Sequence, residues 1–131
     1  MRLAGRHKVI KQKIDIMKEF VMIFRSAGDP LNTLSPQDMQ GLMTQWQNWM
    51  GSIAAQGKLA NIGYRLSTEG NTLKPNNVIT DGPFAEIKEI LTGVTIIKAD
   101  TLEEANELAK GCPVLNIGGT VEVRGVVVMN M

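Results

Sequence analysis

Residues 18–25 read KEFVMIFR, and every position from Phe20 to Phe24 is apolar. A strand sends successive side chains to opposite faces. A short run that is apolar at both parities therefore predicts a strand covered on both sides. The signature returns in Leu91–Ala99, where Val94, Ile96 and Ile97 again occupy both parities. Two such strands belong at the centre of a sheet, and the rest of the chain reads outward from them.

Between the two runs, Ser26-Ala27-Gly28-Asp29-Pro30 is punctuation for a loop, and Ser35-Pro36 starts a helix. Ser35 is a capping residue, Pro36 suits the first helical position, and Asp38 favours the positive end of the helix dipole. Met39, Leu42, Met43, Trp46, Met50, Ile53 and Ala54 recur at three- and four-residue steps, an apolar stripe that Gln56-Gly57 closes. Trp49 falls beside that stripe and is expected at a helix–tail or helix–helix contact. Leu59–Leu66 is extended, and Thr72–Thr80, broken by Pro75-Asn76-Asn77, predicts a small hairpin. Asp81-Gly82-Pro83 is a second turn.

A second helix opens at Asp100-Thr101-Leu102-Glu103-Glu104, with Leu102, Ala105, Leu108 and Ala109 as its buried stripe. Lys110-Gly111 and Pro113 end it. In Thr120–Met129, Val121 and Val123 point one way, Glu122 and Arg124 the other. The order is βαβ(β)βαβ. Right-handed crossovers and hairpin pairing turn it into an α+β, ferredoxin-like βαββαβ sheet with both helices on one face and the first and third main strands in the centre. The opposite face would carry apolar residues with nothing in one chain to cover them. A second copy packed sheet against sheet is the economical cover, so a homodimer is expected.

Composition bounds the function. The chain has 131 residues, 44% apolar and 21% charged, which suits one folded domain. A net charge of +1 gives no support to a nucleic-acid or membrane-surface role, and no apolar run approaches the roughly 20 residues of a membrane helix. The lone Cys112 forms no intramolecular disulfide, and no metal-ligand spacing occurs, so no metal or cofactor is expected and a reduced, cytoplasmic compartment is. Residues 1–17 form a basic extension, with Arg2, Arg6, Lys8, Lys11 and Lys13 against Asp15, ahead of a domain at 18–131. It lacks the apolar core of a secretory signal.

The most distinctive stretch is Thr80-Asp81-Gly82-Pro83-Phe84-Ala85-Glu86-Ile87-Lys88-Glu89. TDGPFAEIKE, then LEEANELAKGCP and GGTVEVRGV, resembles the DGPF subgroup of the YciI-like (YCII-related) family, and EFVMIFR and the SPQDM helix start fit the same pattern. The likeness runs from about Lys18 to Val127. It implies a dimeric α/β-barrel with a cleft between the sheets, and an activity that is largely undefined. The wider fold superfamily includes small-molecule isomerases and monooxygenases. The family's suspected site holds a His–Asp pair, whereas the single histidine here is His7, outside the matching stretch.

A general base must be titratable and close to the reacting proton. Without a histidine in the domain, Asp81 and Glu122 are the catalytic candidates. Asp81, Glu86, Lys88, Glu89, Arg65 and Arg124 are the candidates for binding a ligand. Glu122 and Arg124, two apart on a strand, share a face, either as an ion pair fixing the dimer or as a charged lining for a cleft. Cys112, just past a helix end beside Pro113, reads as a buried structural thiol. Two function classes follow: a small-molecule binding protein or enzyme using the inter-sheet cleft of a homodimer, or a non-catalytic dimeric interaction or regulatory module.

Overall fold

The computed structural model describes residues 17–27, 34–82 and 89–129. The basic residues 1–16 and the sequence motif's Phe84, Glu86 and Lys88 lie outside them. Among the described residues the elements run β1 (Lys18–Ala27), α1 (Pro36–Ala55), β2 (Leu59–Arg65), β3 (Asn71–Lys74), β4 (Val78–Asp81), β5 (Glu89–Ala99), α2 (Leu102–Ala109), a 3-10 turn (Pro113–Ile117) and β6 (Thr120–Gly125). The fold is α+β. Four strands form one antiparallel sheet in the order β2-β5-β1-β6, and β3 and β4 pair as a separate hairpin. The two strands read as central, β1 and β5, are the central pair.

Alternation explains which face is filled. Phe20, Met22 and Phe24 of β1 and Ile97 and Ala99 of β5 share one buried cluster with Trp49, Met50 and Ile53 of α1 and with Ala105 and Ala109 of α2. Both helices therefore cover the same face. Val121 and Val123 pack against that cluster, as their parity requires. The other parity, with Val21, Ile23, Val94 and Ile96, is half-buried on the helix-free side.

Ser35 caps the first helix as the sequence predicts, and of the two residues that could cap the second, Asp100 and Thr101, it is Thr101 that does. Ser35 Oγ accepts the Asp38 N–H at 3.1 Å, and Thr101 Oγ1 accepts the Glu104 N–H at 3.1 Å. Such caps contribute about 1 kcal/mol each. The expected stripes need two corrections. On α1, Met43 and Ala54 are exposed while Trp49 is buried, because the 3.6-residue period rotates the stripe towards Leu42, Trp49, Met50 and Ile53. On α2, the small Ala105 and Ala109 make the close approach to the sheet, and Leu102, in the first turn, stays exposed.

Trp49 joins the helices: its ring N–H donates to the Leu108 carbonyl at 2.9 Å. Phe24, Trp46 and Trp49 stack edge-to-face, with centroids 5.1–6.1 Å apart, the arrangement that ring quadrupoles favour. Lys58, ahead of β2, pairs with Glu104 at 3.0 Å and ties α2 to the sheet edge. The hairpin turns at Pro75-Asn76-Asn77, where Asn76 and Asn77 take φ of 68° and 62°, a region that asparagine tolerates better than most residues. No helix among the described residues is long and apolar enough to cross a membrane.

Candidate functional site

The site begins with a defect in β2. The pairing of β2 with β5 shifts register on both sides of Asn61, so the segment Ile62-Gly63 bulges from the ladder. Asn61 Oδ1 accepts the Gly63 N–H at 2.8 Å, a side-chain turn that stabilises the bulge. Gly63 has φ 78°, and a Cβ there would lie 1.8 Å from the Val94 carbonyl oxygen. Only glycine allows the two backbones to meet so closely. The Thr95 hydroxyl donates to the Ile62 carbonyl at 2.9 Å, supplying from a side chain a bond the irregular ladder lacks.

A pocket of about 370 Å³ opens between this bulged edge, α1 and the 3-10 turn. Phe24, Leu42, Trp46, Met50, Val114 and Ile117 make its apolar wall. Its polar residues are few. Ser26 and Thr95 are both buried, and Thr92 donates its hydroxyl hydrogen to the Phe24 carbonyl at 3.2 Å. Gln47, Tyr64 and Arg65 are exposed and complete the solvent side. Among the described lining residues, Arg65 alone carries a formal charge.

Of the described site candidates singled out from sequence, Arg65 is therefore the one that lines the pocket. Glu122 and Arg124 lie elsewhere. Their strand neighbours on β1 are Ile23 and Val21, which places both on the helix-free face. There Glu122 pairs with Arg25 at 2.6 Å and, more loosely, with Arg124 at 3.8 Å. Asp81 ends β4, exposed and opposite Asn71. The adjoining turn is held by the Thr72 hydroxyl, which donates to the Gly82 carbonyl at 3.2 Å. Glu89 begins β5 opposite Ala27, and Glu86 and Lys88 are outside the described residues. The described candidates thus fall on two faces and a hairpin, and do not form one cluster.

Sequence reading missed Ser26, Thr92, Thr95 and the Gly63 bulge. Parity carried a signal for two of them: Ser26 continues the core-facing series Phe20, Met22, Phe24, and Thr95 sits opposite Met22. A hydroxyl at a core-facing position needs a partner, and one bounding a cavity also presents an oxygen to what enters it.

Cys112 is buried. Burial pushes its thiol from 9.0 up to about 12, against a smaller opposing effect of its hydrogen bond to the Val114 backbone. It is a core thiol and not a nucleophile poised for chemistry.

A family model described as the YCII-related domain matches residues 19–130. No curated protein matches the chain.

Proposed function

The chain belongs to the YCII-related family, and from that premise we propose that it is a small-molecule binding protein acting as a homodimer. The pocket between α1 and the β2–β5 edge is its ligand site. The observation that carries this reading is the pocket itself: about 370 Å³, apolar in its wall, with few polar groups. That volume falls in the range of small-ligand sites. A cavity of about 150 Å³ holds one benzene, so this space suits a body of about two rings or its alkyl equivalent. Binding is favoured over turnover because the described lining residues include no carboxylate, imidazole or thiol to exchange protons near neutrality. The catalytic candidates read from sequence are Asp81 and Glu122. Neither lines the pocket, and Glu122 is held by Arg25.

The dimer rests on the helix-free face, where Val21, Ile23, Val94 and Ile96 present apolar surface that a second sheet would cover. The strand order supports a ferredoxin-like arrangement, and two such sheets face to face would make a dimeric α/β-barrel. Arg25, Glu122 and Arg124 would then border the cleft between the sheets, the place for a polar ligand in a second reading of the same assembly. Asp81-Gly82-Pro83-Phe84 supports the DGPF subgroup, and the single, buried thiol suits a cytoplasmic setting.

The test is a thermal-shift titration with the neutral two-ring compound 2-naphthol. The wild type should gain several degrees. Met43→Trp, which places a large ring at a half-exposed position on the pocket wall, should gain none while keeping its unliganded melting temperature. A wild type that responds to no neutral apolar probe would count against the pocket as a ligand site.

A further inference from the structure

We infer that the pocket takes an apolar carboxylic acid, body inward, with its carboxylate held at the mouth by Arg65. The inference rests on the pocket being the ligand site and adds the class of ligand. It follows from where the hydrogen-bond donors are.

A carboxylate only accepts hydrogen bonds. The hydroxyl hydrogens of Thr95 and Thr92 are already given to the Ile62 and Phe24 carbonyls, at 2.9 and 3.2 Å. Each threonine therefore has only an oxygen lone pair left to offer, which repels an anion. Ser26, buried beside them, is also engaged within the chain. Apart from the Trp46 indole N–H, the remaining wall is hydrocarbon and aromatic edge, where an unpaired charge is costly. The deep part of the pocket therefore rejects the ionised end of a ligand and accepts the apolar end.

Besides the indole N–H of the half-buried Trp46, a single neutral donor, the side-chain donors left to the pocket are those of Gln47, Tyr64 and Arg65, all exposed and so on its solvent side. Arg65 is the one cation among the described lining residues, and guanidinium matches a carboxylate with two parallel N–H donors. Arg65 already makes an interaction of its own in the chain. Its five N–H donors allow a second partner at the same time. The result is a polarity gradient, apolar and acceptor-lined inside, cationic at the mouth, that orients an amphipathic acid. The same gradient leaves a basic or cationic ligand without a counter-charge.

The experiment compares 2-naphthoic acid with 2-naphthamide, equal in body and differing in charge, by calorimetric titration of the full chain at pH 7.5. The wild type should bind the acid about tenfold more tightly than the amide, the scale of one charge-assisted bond at an exposed site. Arg65→Met, which keeps the side chain's bulk, should lose that gap and bind the amide as before. Arg65→Lys should retain part of it, and raising salt should narrow it in the wild type. Equal binding of acid and amide by the wild type overturns the carboxylate inference and leaves the pocket reading standing. An acid preference that survives in Arg65→Met overturns the role given to Arg65. Failure of both probes to bind the wild type overturns the pocket reading and this inference together.

Discussion

Gly63 shows how one residue sets the site. Its backbone lies against the Val94 carbonyl at positive φ, and any side chain would enter that oxygen. Gly63→Ala should destabilise the protein by about 2–4 kcal/mol, measured by urea denaturation, because backbone strain and steric overlap act together. Cys112 gives a second prediction at this scale. Burial pushes the native thiol from 9.0 up to about 12, so above pH 9 the unfolded chain releases a proton that the native chain keeps. The stabilisation is complete below pH 9 and is lost as pH rises towards 12, by at most about 1.4 kcal/mol per pH unit. Cys112→Ala should lack this part of the alkaline slope in denaturation curves run from pH 8 to 10.5. Iodoacetamide at pH 8 should leave the native thiol unmodified. Single residues with a local chemical role were legible from sequence: Ser35, Thr101 and the Asn76-Asn77 turn depend on neighbours within four positions. Gly63 was not, because what forbids a side chain there is Val94, thirty-one positions away, and only the register of β2 against β5 brings them together.

Among the elements, the central strands were the clearest reading, since apolar residues at both parities leave few places for β1 and β5 except the middle of a sheet. The helices were legible in extent and less so in facing. Trp49 lay just off the stripe drawn from sequence, yet it is buried and binds the Leu108 carbonyl. A Trp ring can reach a partner that the helical period alone does not indicate. That bond couples α1 to the last turn of α2, a helix of eight residues with no basic residue within that turn. Trp49→Phe keeps the ring stacking and removes the donor. It should cost about 1–2 kcal/mol by chemical denaturation, since the Leu108 carbonyl loses its partner. Faster amide exchange in Leu102–Ala109, beyond that elsewhere in the core, would locate the loss in α2. The pocket was the least legible feature at this scale, because it arises where β2 departs from regular pairing, and a departure has no period to read.

For the whole molecule, the helix-free face is the surface on which a second copy would pack. Val21, Ile23, Val94 and Ile96 are each half-buried there, flanked by the Arg25–Glu122 pair. Light scattering at micromolar concentration should give about twice the 14.3 kDa chain mass. Ile23→Glu places a charge at the centre of this face, beside Glu122, and should return the mass of one chain with the helices intact by circular dichroism. A wild type of single-chain mass would remove the dimer from the proposed function. It would leave the pocket untouched, since every residue named in its wall comes from the same chain. The sequence carried the argument for a second copy as an inventory of surfaces: the helices cover one face, and the described residues offer no third layer for the other.

The position of β1 also has a consequence in time. It is the first strand among the described residues, yet its partners come late: β5 follows roughly sixty to eighty residues behind, and β6 about a hundred. At typical translation rates of about 5–20 residues per second, KEFVMIFR emerges several seconds before either neighbour exists. During that interval a strand made for the centre of a sheet offers both bare edges to whatever is nearby. The yield of folded protein should therefore depend on how fast the ribosome finishes and how well that nascent strand is shielded, more than on the stability of the fold it eventually joins.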